Sequence, residues 1–152
     1  MINEALRIYP LVPFNVRLAL KDCTLPTGGG PDGLSPIGIL KDTAIAYSPL
    51  TMHRRADLYP PGAQPEKFIP ERWEKWSPKP WQYIPFNGGP RICIGQQFAL
   101  TEMSYTIVRL FQRYDRLENF MPAIDGGDPV LKADIVLQPG QGVRIGFHER
   151  SQ

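Results

Sequence analysis

The segment from Phe86 to Gly95 constrains this chain more than any other, because it places a cysteine in a glycine-rich turn. It fits the pattern F-x-x-G-x-R-x-C-x-G, with fixed residues at Phe86, Gly89, Arg91, Cys93 and Gly95. Glycine lets the backbone turn sharply and approach other groups closely. The following residues carry apolar side chains at steps of three and four, which predicts one long helix from Gly95 to Tyr114. The sequence therefore predicts a thiol that a tight loop presents at the start of a long helix.

A cysteine in this position is suited to bind iron as a thiolate. Backbone N–H groups in a tight loop and at a helix N-terminus stabilise a negative sulfur. Thiolate ligation of haem iron gives strong electron donation, which favours cleavage of the O–O bond. Arg91 lies two residues before Cys93 and offers a guanidinium fork that fits a carboxylate, and the apolar ring of Phe86 would keep water from the sulfur.

Other cysteine chemistries fit the residues less well. A cysteine phosphatase would need an arginine six residues after Cys93, where the chain has Ala99. A zinc site would need paired ligands at short spacing, and the two cysteines and two histidines are scattered along the chain. Spacing alone allows a disulfide between Cys23 and Cys93, but two cysteines do not make the framework of a secreted protein. The sequence favours Cys23 as a small apolar residue in a strand.

Two charged motifs precede the cysteine segment. Glu4 and Arg7 form an E-x-x-R motif whose spacing puts both side chains on one face of a helix, and Pro10 ends that helix. Further along, the segment Pro70-Glu71-Arg72-Trp73 offers a second arginine. An E-x-x-R pair on its own is typical of a surface salt bridge. Its meaning therefore depends on the motifs that follow it.

The order of these three motifs resembles that of the cytochrome P-450 monooxygenases. In that family an E-x-x-R helix and a later P-E-R-F-like segment form a Glu–Arg–Arg cluster behind the haem-thiolate loop. The resemblance assigns the cluster to Glu4, Arg7 and Arg72, with Trp73 where phenylalanine is more usual. It implies an α+β fold class, mainly α with small β-sheets, as in the C-terminal part of the cytochrome P-450 fold. Within the family, the glycine-rich stretches around residues 25–33 and 83–91 resemble most the fungal alkane and fatty-acid hydroxylase branch.

The resemblance implies a haem cofactor whose iron is bound by Cys93, the catalytic and metal-binding residue. The implied cofactor-binding residues are Phe86, Gly89, Arg91, Cys93, Gly95 and Arg17. Arg17 would reach a propionate, and His53 is a further candidate for the haem edge. The turn at Val12 to Val16 would face the substrate.

The resemblance also implies the partners of the reaction. One atom of O2 would be inserted into an apolar substrate, such as a fatty acid, an alkane or a secondary metabolite. Electrons would come from an NADPH reductase, for which Arg109, Arg113 and Arg116 form either a basic docking face or an ordinary solvated face. Full-length members are anchored in the endoplasmic-reticulum membrane and face the cytosol. The chain itself has no apolar run of about 18 residues that predicts a membrane span, and its net charge of +2 does not indicate nucleic-acid binding.

Residues 1–152 are expected to form one incomplete domain, the C-terminal haem-binding portion of a cytochrome P-450 domain. The family's central helix and most of its distal pocket have no counterpart in these residues. A truncated gene product, a gene-model fragment and a degraded pseudogene are all consistent with this expectation. Two functions from different classes stay open: part of a haem-thiolate monooxygenase, and a truncated, catalytically inactive remnant that binds haem loosely or not at all.

The remaining sequence predicts short elements. They are a helix over 1–9, a strand at Asn15–Leu20, a loop at Pro26–Gly33, a hairpin of Ile37–Leu40 with Thr43–Tyr47, a short helix within Thr51–Tyr59, and strands at Ile135–Leu137 and Val143–Phe147. The 17 prolines and 14 glycines cluster between Pro26 and Pro90 and predict an irregular segment from Pro60 to Pro85. The glycine-rich loop formally matches G-x-G-x-x-G, but Pro31 interrupts it and no helix pattern follows, which excludes a dinucleotide site.

Overall fold

A computed structural model describes residues 1–127 and 129–149 of the chain. Its helices are α1 (Ile2–Ile8), α2 (Pro49–Met52), α3 (Arg72–Lys75), α4 (Gln96–Arg113) and α5 (Pro122–Asp125). Its strands are β1 (Asn15–Leu18), β2 (Cys23–Gly29), β3 (Ser35–Ile39), β4 (Ala44–Tyr47), β5 (Tyr114–Asn119), β6 (Leu131–Ala133), β7 (Leu137–Pro139) and β8 (Ile145–Glu149). These strands form two-stranded antiparallel sheets, in the pairs β1–β4, β2–β3, β5–β8 and β6–β7. The predicted α+β class with small sheets is confirmed.

The chain divides into two compact units. One unit consists of Met1–Pro13 with Pro49–Gln152, and the other consists of Phe14–Ser48. The smaller unit contains β1 to β4, and the larger unit contains the helices and the remaining strands. The E-x-x-R pair, Arg72 and the cysteine segment lie in the larger unit, whereas Arg17, Cys23, the glycine-rich stretch at residues 25–33 and most of the turn at Val12 to Val16 lie in the smaller unit.

The smaller unit is a nested pair of two-stranded sheets. The predicted hairpin between Ile37–Leu40 and Thr43–Tyr47 is wrong, because β3 pairs with β2 and β4 pairs with β1. The segment between β3 and β4 turns through a bond from the Thr43 N–H to the Leu40 carbonyl at 3.2 Å, and it also bonds across to the segment between β1 and β2. The Asp42 N–H donates to the Ala19 carbonyl at 2.7 Å, and the Ala19 N–H donates to the Thr43 carbonyl at 3.0 Å. These cross-strand bonds decide the topology.

The predicted loop at Pro26–Gly33 is shorter in the structure than in the sequence prediction. Strand β2 continues to Gly29, and only the residues after it turn toward β3. The pairing register shifts between Leu25 and Gly29, and Gly28 adopts φ +116°. A glycine in that conformation absorbs the irregularity, so the strand continues through residues that usually break one.

The larger unit contains α4, the one long helix among the described residues. It runs from Gln96 to Arg113, which confirms the predicted helix to within a residue at each end. The irregular segment before Phe86 is also confirmed, since its only α-helix in the description is α3. None of the described helices is both long and apolar enough to cross a bilayer.

The C-terminal strands pair differently from the prediction. The expected strands at Ile135–Leu137 and Val143–Phe147 are replaced by β7 and β8, which are shifted by two residues toward the C-terminus. They pair with β6 and β5, respectively, which the sequence did not predict. Strand β5 has the sequence YDRLEN, which lacks a clear apolar alternation, so the period of two that marks a strand is absent.

The most deeply buried side chains of the larger unit are mostly polar. Glu4, Arg7 and His53 are fully buried and Arg72 is nearly so, with Ile8 and Ile84 among the few buried apolar residues described. The described residues of α4 include none that is buried. The best-packed part of this unit is therefore the region around α1 and the irregular segment.

We expect Gly29→Ala to destabilise the β2–β3 sheet by about 1–3 kcal/mol, the usual cost of forcing an extra methyl group into a packed site. A Cβ at residue 29 would lie 2.8 Å from the Pro36 carbonyl oxygen, which is backbone and cannot rotate away. Gly38→Ala on the facing strand is the matched control, because a Cβ there meets nothing within 4 Å. Hydrogen exchange of the β2 and β3 amides in a denaturant series would measure both variants. Equal protection in the two variants would contradict the prediction.

Candidate functional site

The cysteine loop, residues Phe86–Gly95, is closed by its own backbone. The Cys93 N–H donates to the Phe86 carbonyl at 2.9 Å, which joins the two ends of the turn. Between them, the 3-10 turn Gly89–Arg91 is closed by the Ile92 N–H, which donates to the Gly89 carbonyl at 3.0 Å. Asn87 and Gly89 both adopt φ +65°, a conformation that asparagine and glycine tolerate. Local backbone bonds therefore set the shape of the loop.

The indole ring of Trp81 packs against the glycine side of this loop. A Cβ on Gly88 would lie 2.8 Å from the Trp81 ring, and a Cβ on Gly89 would lie 3.4 Å from it. Only a residue without a side chain lets the ring approach Gly88 this closely. This contact of Trp81 was not predicted from the sequence, because it depends on the shape of the turn.

The loop presents Cys93 at the surface of its unit. Cys93 is exposed, and its neighbours Ile92 and Ile94 are 53% and 104% exposed. A Cβ at Gly95 would lie 3.9 Å from the Cys93 sulfur, so any larger side chain at that position would begin to cover it. The Gln96 N–H donates to the Cys93 carbonyl at 3.3 Å, which fixes Cys93 to the first turn of α4. The Cys93 thiol is therefore exposed to solvent between two apolar side chains, and it lies just before an 18-residue helix.

A second site, the Glu4 cluster, lies between α1, α3 and the irregular segment. The Glu4 carboxylate accepts hydrogen bonds from Arg7 Nε and Nη2, Arg72 Nε, Trp73 Nε1 and the Ile69 N–H, each at 2.9 Å. Glu4 and Arg7 are fully buried, so these contacts replace the water that an exposed carboxylate and guanidinium would bind. The structure thus brings together Glu4, Arg7 and Arg72, the three residues that the sequence assigned to one cluster.

The two arginines also bind backbone carbonyls of the irregular segment. Arg7 Nη1 donates to the carbonyls of His53 and Pro65 at 3.0 and 2.6 Å, and Arg7 Nη2 donates to that of Lys67 at 3.1 Å. Arg72 donates to the carbonyls of Ala63, Gln64 and Lys67 at 2.7, 3.0 and 3.1 Å. A segment that forms almost no secondary structure is therefore held in place by side chains.

The electrostatics of Glu4 follow from these contacts. Burial by itself would raise the pKa of Glu4, but the hydrogen bonds from Arg7, Ile69, Arg72 and Trp73 outweigh it. The pKa falls from an ordinary value of 4.5 to about 2. Trp73 contributes one of these bonds through its indole N–H, which a phenylalanine at this position would lack.

Aromatic rings surround the Glu4 cluster. Trp76 stacks on Tyr59 with ring centroids 4.6 Å apart, and Trp73 meets Tyr83 edge-on at 4.8 Å. The Tyr59 hydroxyl donates a hydrogen bond to the His53 carbonyl. The roles of Tyr59 and Tyr83 were not predicted from the sequence, because neither residue belongs to a periodic pattern or a motif.

His53, which the sequence offered as a candidate for the haem edge, lies between α1 and the chain that leads into the cysteine loop. Its side chain is fully buried, with Nδ1 3.2 Å from the Arg7 carbonyl oxygen and Nε2 2.9 Å from the Ile84 nitrogen. Burial, together with the nearby Arg7 and Arg54 charges, lowers the pKa of His53 from 6.5 to about 4, and the bond to the Arg7 carbonyl opposes them in part. His53 therefore joins α1 to the chain that leads into the cysteine loop.

The remaining candidate residues are found in both units. Arg17 is on β1 of the smaller unit, where Nη1 donates to the Val16 carbonyl at 2.9 Å and the guanidinium lies over the Tyr47 ring. Arg91 is exposed within the 3-10 turn of the cysteine loop. Cys23 and Cys93 are both free thiols. Arg113 and Glu149 form an exposed ion pair at 2.8 Å between the end of α4 and β8.

We expect Glu4→Gln to lower the free energy of unfolding by about 3–5 kcal/mol at neutral pH, because it leaves two buried guanidinium groups without their counter-charge. The pKa of Glu4 is lower in the folded chain than in the unfolded chain, so its stabilising contribution is complete above about pH 4.5 and is lost as the pH falls toward 2. The difference between wild type and variant should therefore shrink over that range. Urea unfolding at several pH values measures it, with the exposed Glu74→Gln as a control. A constant difference at every pH would contradict the assignment.

Comparison with known proteins places these motifs in a family. The sequence profile described as Cytochrome P-450 matches residues 1–137. A protein from Talaromyces variabilis, cytochrome P-450 monooxygenase pvhE, is 60% identical over 100% of this chain, which spans 29% of that relative's length. Cytochrome P-450 52A13 from Debaryomyces hansenii is 55% identical over 78% of this chain and 22% of its own length. Both relatives are fungal, as the sequence predicted.

A solved structure gives the same result at the level of the fold. Retinoic acid-bound cyanobacterial CYP120A1 aligns with a TM-score of 0.75 and 28% identity, over 98% of this chain and 31% of that chain. The chain thus spans about a third or less of the proteins it matches. It belongs to the cytochrome P-450 family and corresponds to the C-terminal part of its members.

Proposed function

We propose that residues 1–152 form the C-terminal haem-binding portion of a haem-thiolate monooxygenase, with Cys93 as the protein ligand of the iron. The observation that carries this proposal is the exposed Cys93 thiol on a loop whose backbone is closed on itself. Family membership supports the haem cofactor. The proposal concerns this chain's share of a longer activity, since the chain spans 29% of the length of its fungal relative pvhE.

The residues around Cys93 fit a haem group. Haem iron takes four ligands from its porphyrin, so one accessible thiolate is sufficient from the protein side. Ile92 and Ile94 offer exposed apolar surface next to that thiol, as a flat macrocycle requires. The absence of a side chain at Gly95 keeps the sulfur accessible, and a Cβ there would already lie 3.9 Å from it.

Each candidate residue then has a role that its chemistry supports. The Cys93 thiolate would bind iron, and the half-buried Phe86 would limit the access of water to the sulfur. The exposed Arg91 would bind a haem propionate through its guanidinium group. Gly89 would permit the left-handed turn. Arg17, on β1, would bind a propionate through its guanidinium group. Glu4, Arg7 and Arg72 would act by holding the scaffold beneath the loop.

The reaction proposed for the whole protein is insertion of one atom of O2 into an apolar substrate. Bound haem would supply oxygen activation, which depends on electron donation from the thiolate. The protein's part is to keep that thiolate anionic, dry and fixed in position. A fatty acid, an alkane or a secondary metabolite is the proposed substrate class, with Val12 to Val16 facing it. An NADPH reductase is the proposed electron donor, and the endoplasmic-reticulum membrane is the proposed location of the whole protein, which the family and its fungal relatives support.

Replacing Cys93 tests whether its sulfur is the protein ligand of the haem iron. Haem-loaded wild-type chain should show the strongly red-shifted ferrous–carbonyl absorption band of thiolate ligation. Cys93→Ser removes the sulfur and should abolish this band, whereas the matched Cys23→Ser should keep it, because Cys23 is an exposed thiol of the smaller unit. An unchanged band in Cys93→Ser would sink the assignment.

A second candidate function is a haem-binding remnant without coupled oxygenation. The observation that favours it is the exposure of Cys93, Ile92 and Ile94, because activated oxygen chemistry needs a site from which water is excluded. We expect the 152-residue chain, supplied with haem, reductase and NADPH, to release peroxide without forming a hydroxylated product. Product analysis with a fatty acid or alkane would measure this. Stoichiometric hydroxylation that depends on Cys93 would refute it.

A further inference from the structure

His53 connects two segments that are far apart in the sequence. Its imidazole lies between the Arg7 carbonyl, in the last turn of α1, and the Ile84 N–H, two residues before the cysteine loop. The side chain is fully buried, so neither contact competes with water. A carbonyl in the last turn of a helix has no partner within the helix, and His53 supplies one for Arg7.

The contact with Ile84 fixes the form of the imidazole. A backbone N–H can only donate, so Nε2 of His53 must accept. The proton of the neutral ring then lies on Nδ1, which donates to the Arg7 carbonyl at 3.2 Å. A protonated ring would carry hydrogens on both nitrogens, and Nε2 would oppose the Ile84 N–H.

Ile84 leads directly into the cysteine loop. Its N–H is bound by His53, and its carbonyl accepts the Asn87 N–H at 3.0 Å. Asn87 in turn is adjacent to Phe86, whose carbonyl accepts the Cys93 N–H at 2.9 Å. A continuous series of hydrogen bonds therefore runs from α1 through His53 to the residue that carries the thiol.

We propose that His53 is a positioning residue for the cysteine loop, which it holds to α1 through the acceptor Nε2 and releases when that nitrogen is protonated. The effect of His53 on Cys93 as an iron ligand rests on the proposed function. The hydrogen bond from the Ile84 N–H to His53 does not depend on it. No sequence motif indicates this role, since an isolated histidine gives no pattern.

The surroundings of His53 disfavour its protonated form. The charged or titratable groups that face it are Arg7 of α1, Arg54 of its own segment, Tyr59, whose hydroxyl donates to the His53 carbonyl, and Tyr83, whose ring lies 5.3 Å away. Burial and the two arginine charges lower the pKa of His53 from 6.5 to about 4. The hold on Ile84 is therefore complete above about pH 6.5 and is lost as the pH falls toward 4.

Two substitutions separate the two contacts of the ring. The side chain of His53→Gln reaches the position of Nε2, can accept from the Ile84 N–H and does not titrate. The shorter side chain of His53→Asn reaches only the position of Nδ1, so it keeps a donor for the Arg7 carbonyl and loses the acceptor for Ile84. The measurement is residue-resolved hydrogen exchange of the haem-free chain, expressed as protection factors that correct for the intrinsic effect of pH.

In the wild type, the protection of the Ile84 N–H should fall roughly 10- to 100-fold between about pH 7 and about pH 4. His53→Asn should show this loss already at neutral pH, and His53→Gln should keep its protection throughout. The control is the Gly140 N–H, bound to the Val130 carbonyl at 2.7 Å near the C-terminal strands, which should change much less.

Three results would overturn the proposal: equal losses at Ile84 and Gly140 in the wild type, full protection of Ile84 in His53→Asn, or a wild-type pH dependence in His53→Gln. If either variant fails to fold, the wild-type comparison of Ile84 with Gly140 decides alone. The haem-loaded chain provides a second readout, since His53→Asn should weaken the thiolate band of the ferrous–carbonyl form and His53→Gln should preserve it. A wild type without that band would refute the proposed function and leave the exchange result for Ile84 intact.

Discussion

The hydrogen bonds to the buried carboxylate of Glu4 are the interaction on which the larger unit depends. A buried ionised group costs several kcal/mol unless bonds replace its water, and Glu4 has five such bonds at 2.9 Å. They come from α1, α3 and the backbone at Ile69, so one side chain joins three segments. The guanidinium groups of Arg7 and Arg72 extend the same network to the carbonyls of residues 63–67.

This network explains how a proline-rich segment acquires one conformation. Residues 60–85 have few backbone hydrogen bonds of their own and little buried apolar surface. Arginine suits this task, because its guanidinium group offers five donors in a fixed geometry to carbonyls that no strand or helix uses. The segment therefore ends at a defined position, and Ile84 meets His53 where the cysteine loop begins.

The cysteine loop shows a different kind of order. Its shape comes from short-range backbone bonds, two residues at positive φ and the Trp81 ring against Gly88. Such a turn keeps its geometry with little help from packing, which is why Cys93 and its neighbours remain exposed while the loop stays defined. The contacts of His53 with the Ile84 N–H and the Arg7 carbonyl link the start of this turn to α1 and so to the Glu4 cluster.

The sequence by itself determined the family, the helix α4, the cysteine loop and the members of the Glu4 cluster, because each depends on residues close together or on an ordered set of motifs. Apolar side chains at steps of three and four place α4 between Gln96 and Arg113, but the pattern does not say what covers its apolar face. Strand pairing was decided only in the tertiary structure: the bonds between Ala19 and the Asp42–Thr43 segment direct β4 to β1, and no local signal encodes such a contact. The same holds for Trp73, His53 and Trp81, whose roles depend on partners far away in sequence or on the shape of a turn. A side chain's partners across the fold are set by three-dimensional packing, which spacing along the chain does not record.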